Sequence, residues 1–333
     1  MKKFINRPED VIQESLSGFA QAHADLVRLD APNQVVRRID APVVNKVALI
    51  SGGGAGHEPL HAGFVGRGML DAAAVGGIFS SPVPDQIVAA IAAVDSGRGA
   101  VLLIKNYSGD VMNFRLAAEM AGDEGHEVLS VVLNDDVAVE DSLYTAGRRG
   151  TGVTLLVEKI AGARSEEGAT LAEVAAMARR VNERGRSFGV ALTSCTVPSH
   201  GKPTFHIGPQ EMEFGVGIHG EPGRRRGPLQ PAAEIVAEMT EIILDDLKPA
   251  AGTPLLAFVN GLGATPSIEL YLVYNELARQ LGQQGFQLTR RLVGSYVTSL
   301  DMAGISISLL ALDDEMLGLW DAPVHTSALR WGG

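Results

Sequence analysis

The sequence predicts an α/β protein of two domains with mostly parallel or mixed sheets. Three observations carry this. Short apolar runs, at 47–50, 101–104 and 128–133, alternate with longer segments of helical spacing such as 85–94, the pattern of strands joined by crossover helices. The 333 residues exceed the roughly 150 of one typical domain. A polar, basic stretch near Gly185 separates two patterned halves, an N-terminal domain over 1–185 and a C-terminal domain over 186–333. Glycine is abundant (39 residues) while aromatic residues make up 5%. Many glycines stand where an apolar run ends, as tight turns and close backbone approach to a ligand require.

Residues 8–23 (PEDVIQESLSGFAQAH) predict an amphipathic helix opened by Pro8 and two acids. Residues 47–50 (VALI) predict a buried strand closed by a glycine turn, SGGGAG. A helix over 85–94 and a strand over 101–104 come next, then the loop KNYSGD and a helix starting VMNFRLAAEMA. A strand over 128–133 ends in NDD, and 171–184 is helical. In the second half, strands are expected at 188–194, 255–260, 292–299 and 305–312, and helices at 234–247 and 267–280. Residues 211–218 lead into HGEPG, and the tail WDAPVHTSALRW is expected to pack back on the first domain.

Charge and composition exclude several function classes. Lys and Arg number 28 against 39 Asp and Glu, a net charge of −11. That field repels nucleic acid and anionic membrane. The single cysteine, Cys195, excludes an internal disulfide framework and a Cys-rich zinc site. No apolar run approaches the ~20 residues of a membrane span, and MKKFINRPED lacks the pattern of a signal peptide. A cytoplasmic protein with no nucleic-acid or membrane partner is expected.

Open α/β sheets bind ligands at the carboxyl ends of their strands, where three polar clusters are expected. The first, SGGGAGHEP (51–59), holds His57. It matches neither a Walker loop nor the G-x-G-x-x-G spacing. A glycine turn ahead of a helix offers backbone N–H groups to an oxygen-rich ligand; the alternative is a plain turn with a capping His. The second, KNYSGD (105–110), pairs Lys105 with Asp110, which suits orienting a hydroxyl and accepting its proton; alternatively Asp110 is an N-cap. The third, EMEFGVGIHGEPG (211–223), sets His219 among small residues. A neutral imidazole there is a competent nucleophile, although Glu221 would tend to raise its pKa; the alternative is a loop His without a role.

His57-Glu58-Pro59-Leu60-His61 fits the zinc-protease string H-E-x-x-H. Pro59 and the preceding glycines place His57 at or before any helix start, which argues against a zinc site, and no metal is expected. The remaining histidines, His61 included, read as structural or exposed. Arg224 to Arg226 reads as a solvated loop, with a docking patch for a phosphate-carrying partner as the second reading.

Over nearly its whole length the sequence resembles the ketone-binding part of the dihydroxyacetone kinase family. The matching motifs are VALISGGGAGHEP, IFSSPVPDQI, LLIKNYSGDVMNF, NDDVAVEDSLYTAGRRGTG, CTVP with GKP, EMEFGVGIHGEPG, NGLGATP, YVTSLDMAG and WDAPVHT, in family order. The resemblance implies that His219 forms a covalent hemiaminal with the ketone carbon of dihydroxyacetone. It implies that Asp110 activates the hydroxyl that receives phosphate, and that His57 hydrogen-bonds the substrate and assists proton transfer. Gly54, Ala55, Gly56 and Lys105 complete the pocket, with Ser81 a further contact.

The resemblance also implies partners. Single-chain kinases of the family carry an additional helical nucleotide domain, which this sequence is not expected to contain. A nucleotide-binding kinase subunit holding ADP or ATP with Mg is therefore expected, with no cofactor on this chain. A phosphotransferase-system carrier fed by phosphoenolpyruvate is one source of phosphate, and free ATP the other. A homodimer is expected by the same resemblance. Two departures stand out: Ala55 replaces a common serine, leaving backbone amides to bind, and the stretch 244–254 is shorter than in some relatives. A non-catalytic ketone-sensing co-activator of a transcription regulator is the alternative function, and a longer ketose or small aldehyde the alternative substrate.

Overall fold

The computed structural model describes residues 2–139 and 146–332; part of the NDDVAVEDSLYTAGRRGTG motif lies outside the described residues. The first half runs α1 (Val11–Ala22), β1 (Val27–Asp30), β2 (Val35–Arg38), β3 (Ala48–Ala55), β4 (Gly66–Arg67), β5 (Ala72–Ile78), α2 (Pro84–Val94), β6 (Ala100–Lys105), α3 (Ser108–Asp123) and β7 (Val128–Leu133). Then come α4 (Val153–Glu166) and α5 (Leu171–Glu183). The second half runs β8 (Gly185–Ala191), β9 (Glu211–Phe214), β10 (Arg225–Pro228), α6 (Ala232–Leu247), β11 (Pro254–Gly261), α7 (Ser267–Gln283), β12 (Gln287–Gly294), β13 (Gly304–Ala311), α8 (Asp314–Asp321), β14 (Val324–Thr326) and β15 (Arg330–Trp331).

Two six-stranded sheets result, in the orders β1-β2-β5-β3-β6-β7 and β10-β9-β8-β13-β11-β12. The first is parallel from β5 through β7 and closes with an antiparallel hairpin. The second is antiparallel except for β11 and β12. The fold is mixed α/β, as the alternation of runs predicts. The tail crosses back to the first half, where β14 pairs with β4, His325 opposite Arg67.

Strand alternation sends successive side chains to opposite faces. Ile50 and Leu102 pack with Ile87, Ile91 and Phe114 of α2 and α3. Leu49 and Leu103 face the other way, onto α4 and α5. The core there also takes in Leu256, Phe258 and Leu310 of the second sheet, so α4 and α5 lie between the sheets. Helices α6 and α7 cover the far face.

Three sequence expectations are corrected. Residues 51–55 are not a turn but the end of β3. Gly52 and Gly54 are there because neighbours press close: a Cβ would fall 2.4 Å from the Ala74 carbonyl at Gly52 and 2.5 Å from the Ser80 nitrogen at Gly54. The first helical element beyond β3 is a three-residue turn, Ala62–Phe64, so no regular helix begins after the glycines and no helix-end anion cradle forms there. The strand expected at 292–299 is β12, which ends at Gly294. The Asn260 side-chain oxygen then takes the N–H groups of Tyr296 and Val297 and draws the chain off the ladder. Finally, Asp110 is not an N-cap: α3 opens at Ser108, and Asp110 lies in its first turn.

Candidate active site

The loops after β3 and β12 are stitched together by backbone bonds. Leu300 N donates to Gly56 O at 2.8 Å, and Thr298 N to His57 O at 3.2 Å. This clamps His57 in the interior, where it is fully buried. Its Nδ1 lies 2.8 Å from the Thr298 carbonyl. A carbonyl only accepts, so Nδ1 carries the hydrogen and the lone pair of the neutral ring sits on Nε2. That atom is 3.2 Å from His219 Nε2, which must therefore be the donor. His219 Nδ1 is buried and has no hydrogen-bond partner among the described residues.

Both rings are held neutral. Burial lowers the His57 pKa to about 3, reinforced by the charge of Lys105 and only partly opposed by the Thr298 bond. Burial also drives His219 well below the usual histidine range, followed by the effects of His57, Lys105 and Arg149. The expected influence of Glu221 is overturned. Its two oxygens are occupied by the His219 backbone N–H (2.8 Å) and the Arg149 guanidinium (3.1 Å). Arg149 also pairs with Asp136 at 2.6 Å and donates to the Gly215 carbonyl at 2.8 Å, so the carboxylate is neutralised and the His219 loop is braced. Burial raises Asp136 to about 6 in spite of that pairing.

Aromatic rings shape the walls. Phe79 stacks on His57 with centroids 5.1 Å apart, and Tyr107 meets His219 edge-on at 4.1 Å. The end of β3 places Phe79: the Ala55 carbonyl accepts from Phe79 N at 2.9 Å, and Gly54 and Gly56 leave room for the Phe79 turn. The Gly56 N–H is taken by the Glu58 carboxylate at 3.0 Å, so this amide is not an open donor. Ser81 Oγ donates to the Pro82 carbonyl at 3.2 Å, and its Cβ would stand 3.6 Å from a Cβ at Gly109, at the start of α3.

Lys105 ends β6 and is completely buried. Its Nζ lies 3.0 Å from His61 Nε2, 3.3 Å from Gly52 O and 3.5 Å from Asp110 Oδ2. A Cβ on Gly53 would fall 2.3 Å from that Nζ, so only glycine leaves the ammonium its place. His61 Nδ1 in turn meets Glu158 Oε1 at 2.6 Å. His61 and Glu158 are not singled out by sequence. The short spacing from His57 is the one available signal, and it points to zinc. The two histidines instead face different partners, and among the described residues no cluster of three or more His, Cys, Asp or Glu could hold a metal.

The structure thus gathers His57 with His219 and Lys105 with Asp110, with the glycines of β3 between Lys105 and Phe79. A separate cavity of about 480 Å³ is lined by Gly53 to Gly56 and His61, with Ile12, Leu16 and Phe19 from α1. None of His57, Lys105, Asp110 and His219 lines it, so it is not where those groups act. Arg224 precedes the edge strand β10, and Arg225 and Arg226 open it, Arg225 paired to Glu238 and Arg226 to Glu213. No helix among the described residues is long and apolar enough to cross a membrane.

Comparison with known proteins bears on the family and the fold. The Dak1 domain matches residues 17–328. The chain is 49% identical over all of its length, and all of the relative's, to the PEP-dependent dihydroxyacetone kinase, dihydroxyacetone-binding subunit DhaK of Escherichia coli (strain K12). It superposes on the dihydroxyacetone kinase of C. freundii with a TM-score of 0.90 and 35% identity, covering 99% of this chain and 60% of that one. It superposes equally well on the dihydroxyacetone kinase operon co-activator Dha-DhaQ, with a TM-score of 0.89 and 34% identity, covering 95% of this chain and 97% of the other. The chain therefore belongs to the Dak1 domain family, the dihydroxyacetone kinase family its sequence resembles.

Proposed function

We propose that this chain is the dihydroxyacetone-binding subunit of a kinase, holding the ketone as a hemiaminal on His219 while a nucleotide-bearing partner subunit supplies the phosphoryl group. The observation that carries the reading is the His57–His219 contact, 3.2 Å between Nε2 atoms, with the Thr298 carbonyl fixing the tautomers. His219 Nε2 attacks the ketone carbon as its hydrogen passes to His57 Nε2. The N–C bond forms, the C=O π bond opens, and His57 returns the proton to the resulting alkoxide. The adduct is a neutral hemiaminal, and both rings end uncharged. Burial favours this route because it keeps either ring from holding a proton for long.

A carbonyl is required for that bond, so a polyol such as glycerol is rejected by chemistry and not by weak contacts. The adduct fixes the terminal hydroxyl, and Asp110, oriented by Lys105, receives its proton as phosphate is transferred. Substrate contacts are assigned to Gly54, Ala55, Ser81 and Lys105 beside His57, Asp110 and His219. The Gly56 amide, engaged by Glu58, contributes by shaping the wall. ADP or ATP with Mg belongs to the partner subunit in this reading. The relative named as PEP-dependent favours a phosphoenolpyruvate-fed carrier over free ATP, and a homodimer is part of the proposal.

A second reading, a ketone-sensing co-activator, is favoured by the likeness to the operon co-activator. The buried Lys105–Asp110 pair favours the enzyme, since ketone capture alone does not need a proton acceptor for the hydroxyl. Reconstitution with a nucleotide-bearing kinase subunit and a phosphoryl donor, with dihydroxyacetone phosphate as readout, separates the two. Product formation that requires this chain supports the kinase reading, and none at any subunit ratio supports the sensor.

A further inference from the structure

Behind the Lys105–Asp110 pair stand two groups that the chemistry above does not use, His61 and Glu158, both buried. An ammonium has three N–H donors and no acceptor. Here two hydrogen-bond acceptors stand against it, His61 Nε2 at 3.0 Å and Gly52 O at 3.3 Å, and Asp110 Oδ2 forms an ion pair with it at 3.5 Å. His61 Nε2 must then be unprotonated. Its hydrogen is on Nδ1, which donates to Glu158 Oε1 at 2.6 Å. The opposite tautomer would set an N–H against the ammonium.

The four side chains form one line, Glu158 to His61 to Lys105 to Asp110, two hydrogen bonds followed by an ion pair, in which each contact orients the next. Glu158 sits on α4, the helix packed between the two sheets, and its second oxygen has no partner among the described residues. A buried carboxyl and imidazole cost stability that an apolar pair of similar size would not. A packing role leaves that cost unexplained.

We propose that His61 and Glu158 are positioning residues: Glu158 selects the His61 tautomer, and His61 aims the Lys105 ammonium so that one N–H faces Asp110. This rests on the reading that Asp110 receives the hydroxyl proton. Neither residue touches the ketone, so removing the relay slows phosphate transfer and leaves ketone capture intact.

The test compares His61→Asn with His61→Gln in the reconstituted kinase. An asparagine amide reaches the Nδ1 position and loses the acceptor for Lys105. A glutamine oxygen reaches the Nε2 position and keeps it. His61→Asn is expected to lower kcat about 10- to 100-fold, the loss typical of an outer partner of a reacting group, with dihydroxyacetone affinity changed by no more than about twofold. His61→Gln is expected to recover most of that loss. Equal effects of the two substitutions, or a loss of ketone affinity in place of kcat, overturn the relay. Should His61→Asn fail to fold, side-chain 15N spectra of the unaltered protein decide: a hydrogen on His61 Nδ1 supports the relay, and one on Nε2 overturns it. Asp110→Asn separates the two levels. If it keeps full turnover, the reading of Asp110 falls and the relay with it; if it is inactive while His61→Asn turns over normally, the relay alone falls.

Discussion

The Nε2 atoms of His57 and His219 stand 3.2 Å apart, and the Thr298 carbonyl, 2.8 Å from His57 Nδ1, decides which ring owns the proton between them. His57→Asn keeps an amide donor near Thr298 but has no acceptor facing His219. Ketone capture and turnover should both fall, by about 10²-fold as for loss of a general base. Rapid-mixing kinetics with dihydroxyacetone check this, and a variant with unaltered capture would remove His57 from the first step.

Asp110→Asn should dissociate binding from chemistry. The amide preserves the shape of the first turn of α3, where the side chain is buried, but cannot take the hydroxyl proton. Turnover should drop about 10²- to 10⁴-fold while calorimetry still shows ketone binding. Loss of binding with turnover per bound ketone unchanged would contradict the assignment.

Two adjacent glycines should fail differently. At Gly52 a Cβ meets the Ala74 carbonyl, a fixed backbone atom; at Gly53 it meets the tip of Lys105. Gly52→Ala should lower stability by about 1–3 kcal/mol, as overpacking does, measured by denaturant unfolding. Gly53→Ala should fold but lose turnover, because the displaced ammonium no longer faces Asp110. The reverse pattern would mean that Lys105 has no role beyond packing.

The buried neutral histidines make the fold acid-sensitive. His57 has its pKa lowered from 6.5 to about 3 by burial first and Lys105 second, and His61 and His219 are lowered in the same direction. Below 6.5 the unfolded chain binds protons that the folded chain refuses. Their contribution is thus complete above pH 6.5 and shrinks as pH falls, for His57 until about pH 3. Melting temperatures measured from about pH 8 to about pH 4 should fall over that window. His57→Gln should flatten the decline; an unchanged slope would contradict a neutral His57.

The alternation of apolar runs is enough to read most strands of both sheets, because central strands such as β3 and β6 lie between covering helices and carry unbroken aliphatic runs, VALI and AVLLI. Helix α4 leaves no such trace. It is buried nearly all round, with Glu158 and Lys159 inside, so it lacks the one-sided stripe that marks a surface helix. The glycine run reads as a turn because close packing by Ala74 and Ser80 demands glycine as strictly as a turn does. His57, Lys105, Asp110 and His219 are legible through their motifs. His61 and Glu158 are not, since they are far apart in sequence and meet only where α4 passes behind β3. The effect of Glu221 is also out of reach, because Arg149, which neutralises it, arrives from another part of the chain.

The most direct test is a crystal structure of this chain soaked with dihydroxyacetone. Continuous density joining His219 Nε2 to the central carbon of the ketone, with tetrahedral geometry at that carbon and the terminal hydroxyl beside Asp110, is the predicted result. A planar, unbonded ketone, or a ligand seated away from His219, would contradict the account.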